Sequence, residues 1–371
     1  MGGVVILDTD RLDASLAAGA TLPAAWYSDP SILRLEQERI FARTWQVAGL
    51  LEDVAEPGSF MAGQVGHVPV VVVRDDEGEL RGFVNVCRHR AHLVAQGSGR
   101  RSTLQCPYHA WTYGLDGSLR SAPRCDREPG FDASDLSLLS VQVGTFGPLV
   151  LVNPDLDAPP LADALGGLED TIAASGLDLS SVRRRERVEW EIRANWKVTI
   201  ENYLECYHCP TAHPGFSKVI DVDPDAYLLQ ADGLVASQFG PVRASALEGN
   251  GRAPYTPKGP VGQAQYHLVW PSLTINIEPG PANVSFDTWR AVSPTLTLGY
   301  SDYFFGEDVT EKEIAELVAF STQVGNEDMS LVESVQRGLE SGMVPQGRLL
   351  PQSERLIQHF QRLVFDALAG D

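Results

Sequence analysis

Two short clusters of cysteine and histidine constrain this chain more than anything else in it. The first is Cys87-Arg88-His89 and the second Cys106-Pro107-Tyr108-His109, with sixteen residues, Arg90 to Gln105, between them. Thiolate sulfur and imidazole nitrogen are the side chains that hold zinc or iron–sulfur iron. A cysteine and a histidine one or two residues apart can both reach a metal from a single tight loop. Two such loops close a four-ligand site, so the fold must present them side by side.

The order of the ligands narrows the metal. Zinc fingers put two cysteines in one half and two histidines in the other, whereas each half here mixes one of each. A Rieske [2Fe–2S] centre gives one iron two cysteines and the other two histidines, and two mixed loops suit that arrangement. A structural zinc site, or histidines that merely cap loops, stays open on spacing alone. Gly97-Ser98-Gly99 reads as the tip of a hairpin between the loops, and Pro107 and Gly114 fit tight turns around the second. The stretch C-P-Y-H-A-W-T-Y-G-L-D-G-S-L from Cys106 resembles the second half of the Rieske motif.

At 371 residues the chain is long enough for two domains. Residues 1–44 read as a helical segment, capped at Ser28-Asp29-Pro30, that packs on the second domain. Short β-branched runs follow, Val68–Val73 and Gly82–Val86 around an Asp75–Gly78 turn, then Leu149–Asn153. They predict a small all-β domain at 45–155 carrying the metal loops. From 156 to 371 the chain mixes helical stretches (Asn195 to about Tyr207, and 310–340 with a Thr310/Glu313 capping box) with strand-like alternation over 265–305. The basic run Arg183–Arg187 reads as a solvated loop or edge strand. The expected class is α+β: a small all-β Rieske domain inserted beside a larger antiparallel-sheet catalytic domain with covering helices.

Charge and cysteine usage exclude several functions. A net charge of −20 argues against a nucleic-acid partner or an anionic membrane surface, and no apolar run reaches the roughly 20 residues that span a bilayer. The opening residues lack a basic region ahead of an apolar one, and Ile6 stands where myristoylation wants Ser or Thr. Beyond Cys87 and Cys106, the leftover Cys125, Cys206 and Cys209 are odd in number, which points to a reducing cytoplasm rather than a disulfide framework.

A second constellation, E-N-Y-L-E-C-Y-H-C-P-T-A-H, runs from Glu201 to His213. Pro210 breaks the helix between His208 and His213, leaving one at a helix end and one in the next loop. Two histidines and one carboxylate on one face of an octahedron, other positions open, make the non-haem Fe(II) site that activates dioxygen. Two nearby histidines are more often unrelated, and Cys206-x-x-Cys209 could also be a redox pair, though no thioredoxin-like βαβ pattern surrounds it. The candidate carboxylate is Asp328 in G-N-E-D-M-S-L-V-E-S; its neighbour Glu327 points about 100° away on a helix.

Taken together, the two constellations resemble the α subunit of Rieske non-haem iron oxygenases, over nearly the whole chain. The family pattern is C-x-H, about sixteen residues, C-x-x-H, then E-x-x-x-D/E-x-x-H-x-x-x-x-H, met here by Cys87, His89, Cys106, His109, Glu201, Glu205, His208 and His213. The resemblance implies a [2Fe–2S] cluster on the first four and mononuclear iron on His208, His213 and Asp328. It implies that Glu205 bridges to the Rieske ligand His109 of a neighbouring subunit, in a homotrimer, with Glu201 behind the metal ligands. Many members carry Asp at the bridge; Glu occurs in the branch that resembles carnitine oxygenases.

No dinucleotide fingerprint is present, so electrons are expected from a separate NAD(P)H-dependent flavin and iron–sulfur reductase or a ferredoxin. Arg88, Arg90, Arg100 and Arg101 could dock an acidic donor or offset the cluster's charge. The pocket is expected from Tyr203, Phe239, Tyr266, Trp270 and Trp289, rings that could cage a quaternary ammonium or line a site for an aromatic ring. Chain length and the E-C-Y-H motif resemble the choline, glycine betaine and carnitine branch. The expected reaction is hydroxylation or N-demethylation of such a substrate. The alternatives are ring hydroxylation or O-demethylation of an aromatic acid and, from another class, a Rieske electron carrier without oxygenase activity.

Overall fold

A computed structural model describes residues 9–248 and 253–370. The expectations on the opening residues, Met1 to Ile6, lie outside the described residues. The chain divides into two compact units, Phe41–Leu161 and the chain up to Ile40 together with the chain from Ala162 onward. The first is thus an insertion into the second. Its edges lie a few residues outside the expected 45 and 155, because Trp45 Nε1 donates to Pro159 O (3.0 Å) and draws that segment into the inserted unit.

The inserted unit is all β. Its seven-stranded sheet runs in the order Gln46–Leu50, Leu149–Asn153, Ser140–Phe146, Leu80–Val84, Val68–Arg74, Ser59–Val65, Ser98–Arg100, with a three-stranded sheet of Leu104–Gln105, Thr112–Tyr113 and Leu119–Ser121. Alternate residues of a strand face opposite sides, and the run Val70–Val73 is apolar throughout because both sides are covered. Val71 and Val73 pack with Cys87, Cys106, Trp111 and Tyr113, while Val70 and Val72 pack with Val141, Val150 and Val152. One correction concerns Gly97-Ser98-Gly99. It is no hairpin tip: Gly97 takes a positive φ of 65°, and Ser98–Arg100 pairs with Ser59–Met61 as the edge strand.

The second unit holds a seven-stranded antiparallel sheet in the order Val182–Ile192, Leu296–Gly306, Asn283–Ser293, Leu273–Ile277, Gln263–Val269, Val235–Pro241, Leu228–Asp232. The Arg183–Arg187 run falls on its edge strand, where Arg187 grips Asp302 at 2.7 and 2.5 Å. A 30-residue helix, Glu311–Glu340, starts with the Thr310/Glu313 capping box. Gly325 sits mid-helix, and a Cβ there would come within 2.9 Å of the Trp190 ring, so the helix crosses the sheet's edge strand closely.

The helix Trp196–Tyr203 is shorter than the expected Asn195–Tyr207. Asn195 caps it by accepting from Lys197 N (3.0 Å). Below it, Lys197 and Glu36 form a fully buried ion pair. Lys197 Nζ also donates to Trp26 O (2.9 Å), and Trp196 Nε1 to Glu36 (2.9 Å). The segment 9–40 therefore braces the helix that leads to the histidines.

Candidate metal centres

The two loops of the inserted unit are built alike. Cys87 N donates to His92 O and Cys106 N to Trp111 O, both at 2.8 Å. Four residues after each cysteine, an alanine donates back to that cysteine's carbonyl: Ala91 at 3.1 Å and Ala110 at 3.0 Å. Both alanines adopt left-handed backbone, φ 55° and 58°. This tight reversal turns the His89 and His109 rings toward each other, with centroids 4.6 Å apart and His89 stacked on Trp111 at 4.9 Å.

The cysteines are unpaired and buried while the two histidines are exposed. Among the described residues, only His208, His213 and Asp328 bring three or more Cys, His, Asp or Glu ligand atoms within 4.8 Å of one another. A tetrahedral zinc would gather all four donors within about 4 Å. Cys87, Cys106, His89 and His109 are therefore not gathered around one ion. Two buried thiols below two outward imidazoles fit a two-iron cluster instead. Tyr113 OH lies 3.3 Å from Cys87 Sγ, a hydrogen-bond partner for that sulfur.

In the second unit, His208 and His213 bracket the one-turn helix Cys209–Ala212. Pro210 does not break a helix here, as the sequence suggested; it occupies the first turn, where its missing N–H costs nothing. His213 Nε2 lies 3.0 Å from both His208 Nε2 and Asp328 Oδ1, and His208 Nε2 lies 3.3 Å from Asp328. Three donors about 2.1 Å from one metal at right angles stand about 3.0 Å apart, the spacing of a facial triad. One set of ligands and an open side make this site fit a catalytic iron.

The outer nitrogens are held as well. Glu205 hydrogen-bonds His208 Nδ1 and also accepts from His208 N (3.2 Å). Glu327 accepts from His213 Nδ1 (2.8 Å), and Asn202 Nδ2 donates to Asp328 Oδ1 (2.7 Å). Such partners fix which nitrogen faces the metal. Asn202 went unnoticed in the sequence, and Glu327 was named there only as the neighbour that points away. Glu327 is turned away from the metal as helical geometry requires, and it reaches the histidine's far nitrogen from there. Burial opposes charge on His208, but the hydrogen bonds it donates to Asp328 and Glu205 outweigh it and hold the imidazole up to about 9. Against the same burial, the two histidines pull Asp328 down to about 2.

Glu201 does not touch the triad. It accepts from Tyr27 OH (2.6 Å) and Gln361 Nε2 (3.0 Å), and desolvation raises its carboxyl to about 7. Cys206 and Cys209 are joined by a disulfide, their Cα atoms 5.0 Å apart. That corrects the expectation that these cysteines form no disulfide, since a C-x-x-C turn brings the two within bonding reach.

Beside the triad lies a cavity of about 170 Å³, smaller than the roughly 300–1,000 Å³ of pockets for drug-sized ligands. Tyr203, Tyr266 and Trp289 line it. Phe239 and Trp270 do not, which corrects the sequence list. Gln238 faces the cavity, so Phe239, the next residue on the strand, faces away and packs on His267 (5.8 Å). Trp270 packs between Trp196 and Phe360.

Two further acids, Glu278 and Asp287, also line the cavity at 6% and 7% exposure. Glu278 accepts from Tyr266 OH (3.0 Å) and Tyr255 OH (3.4 Å), and burial pushes it up to about 7. Asp287 accepts from Asn276 Nδ2 (2.6 Å) and Thr274 Oγ1 (3.1 Å), and burial raises it too. The signal was period two: Ser285, Asp287 and Trp289 alternate along one strand and share its cavity face.

A family model for the ring hydroxylating alpha subunit (catalytic domain) matches residues 179–370, and one for the Rieske [2Fe-2S] domain matches 44–143. The chain is a Rieske non-haem iron oxygenase. Among relatives of this oxygenase, the carnitine monooxygenase oxygenase subunit of Acinetobacter baumannii is 32% identical over 355 residues, 93% of this chain and 94% of that one. The chloroplastic choline monooxygenase of Spinacia oleracea is 32% identical over 354 residues, 92% of this chain and 76% of that one. A crystal structure of the quaternary ammonium Rieske monooxygenase CntA matches the oxygenase with a TM-score of 0.84 at 32% identity, covering 98% of this chain and 99% of that one. The oxygenase thus carries a Rieske cluster and a mononuclear iron, and it is more than an electron carrier. Among its described residues no helix is long and apolar enough to cross a membrane.

Proposed function

We propose that this oxygenase inserts one oxygen atom into a C–H bond of a small quaternary ammonium compound. The other oxygen atom leaves as water, with two electrons drawn from a separate donor and two protons from solvent. The observation that carries this reading is the cavity, where the Tyr266 and Trp289 rings and two buried carboxylates adjoin the His208/His213/Asp328 triad. Aromatic faces and carboxylates attract a methylated cation. The carnitine and choline relatives support the same substrate class. An aromatic acid, the alternative reading, would bring its own carboxylate against Glu278 and Asp287. Iron held by His208, His213 and Asp328 would activate dioxygen, and a cluster held by Cys87, Cys106, His89 and His109 would supply electrons singly.

Electrons come from a reductase with flavin and an iron–sulfur centre, or from a ferredoxin, in the cytoplasm. Glu205 is the carboxylate that links the two centres across a subunit boundary in a homotrimer. Its support is its grip on the outer nitrogen of His208. A CntA structure that matches at a TM-score of 0.83 and 31% identity is described with inter-subunit electron transfer.

The test pairs the purified oxygenase with a matched reductase. NAD(P)H- and O2-dependent turnover is expected with choline, carnitine or glycine betaine and not with benzoate; the reverse preference overturns the reading. Glu205→Gln should keep about three irons per chain and the cluster's visible absorption but lose at least ten-fold in turnover. Near-normal turnover would sink the bridge.

A further inference from the structure

We infer that the cavity selects a quaternary ammonium whose remaining groups carry no charge, of the choline type, and discriminates against zwitterions that bear a carboxylate. Glu278 and Asp287 are the residues that recognise its cation. This rests on the reading of the cavity as a quaternary ammonium site and goes a step further, to what the rest of the ligand must be. The identities do not decide it, being 32% to the carnitine and the choline relative alike.

Charge balance in the cavity sets this selectivity. Both carboxylates are more than nine-tenths buried and face the cavity. Every hydrogen bond they accept comes from a neutral donor: tyrosine hydroxyls for Glu278, and Ser301, Asn276, Thr274 and Ser285 for Asp287. No lysine or arginine is among the described residues that line the cavity. A buried carboxylate without a cationic partner is costly, and a cation entering the cavity offsets that cost for both.

A zwitterion presents the opposite problem at its other end. Carboxylates are held in proteins by guanidinium or ammonium groups, and the described lining offers none; its basic residues are His208 and His213, which are turned to the metal site. An anionic end would share this small cavity with Asp287 and with Glu278 in its ionised form, where a low dielectric strengthens like-charge repulsion. A hydroxyl in the same place finds neutral partners in Gln238, Asn276 and Ser301.

The test is calorimetric binding to the holoenzyme without oxygen, using choline, its uncharged carbon isostere 3,3-dimethylbutan-1-ol, glycine betaine and L-carnitine. Choline should bind at least ten-fold more tightly than the isostere and than either zwitterion. Glu278→Gln and Asp287→Asn should each weaken choline at least ten-fold and leave the isostere within about two-fold. A zwitterion that binds wild type as tightly as choline overturns the selectivity, and this comparison stands even where the variants fail to fold. Unchanged choline affinity in both variants overturns the role of the two carboxylates. If no quaternary ammonium binds at all, the function proposed above falls, and this inference with it.

Discussion

Glu327 shows how a residue that binds no metal can govern one. Its carboxylate holds His213 Nδ1 at 2.8 Å and so keeps Nε2 turned to the triad. Losing such a partner typically costs 10–100-fold in metal affinity. Glu327→Gln should therefore weaken retention of the mononuclear iron by about that factor during dialysis against a chelator, with the cluster's absorption unchanged. Equal retention would refute it. Glu201 gives a prediction on pH. Its carboxyl stands at about 7 in the fold against an ordinary 4.5, so the folded chain binds an extra proton between those values. The stability this contributes is complete at low pH and is lost as pH rises through 7. Glu201→Gln, which mimics the protonated form, should match wild type near pH 5 and exceed it by about 1–3 kcal/mol near pH 8. A constant difference in melting temperature across that range would rule the shift out.

At the scale of elements, the twin loops depend on the left-handed Ala91 and Ala110. Glycine is at ease in that conformation, and a β-branched residue is strongly disfavoured. Ala110→Gly should keep full cluster absorption per chain, and Ala110→Val should lose most of it; equal loading in both would show that the turn does not matter. Ligand positions were legible in the sequence because a metal dictates residue type and spacing together. His208, His213 and Asp328 meet in the structure for that reason. The cavity wall was not legible to the same degree. An aromatic residue looks the same on either face of a strand, so Phe239 and Trp270 were placed wrongly, while Tyr203, Tyr266 and Trp289 do line the cavity. Glu278 and Asp287 were missed because an acid reads as solvated until the register of its strand is known. Lys197, paired with Glu36 in the interior, was hidden in the same way.

Across the whole molecule, the catalytic unit is tied together by contacts between distant parts of the chain. Gln361 accepts from Leu22 N (2.9 Å) and donates to Tyr27 OH (3.1 Å) and Glu201 (3.0 Å). Gln361→Ala leaves Leu22 N without its acceptor and takes one hydrogen bond each from Tyr27 and Glu201, and it should cost about 3 kcal/mol of stability in thermal unfolding without changing the cluster's absorption at 25 °C. An unchanged melting temperature would contradict it. The α+β outline and the insertion were legible, because strands and helices carry different periods. That the segment before the insertion would be stitched to the helix Arg355–Ala369 was not. Those hydrogen bonds join residues more than 300 positions apart. The same stitching sets an order on the ribosome. The inserted unit is complete once residue 161 has emerged, whereas Arg39 must wait for Leu368 and Gly370 to accept its guanidinium. The iron–sulfur loops can thus be presented for cluster insertion while their host is still being made, and the catalytic iron's scaffold cannot be completed until Gly370 has emerged.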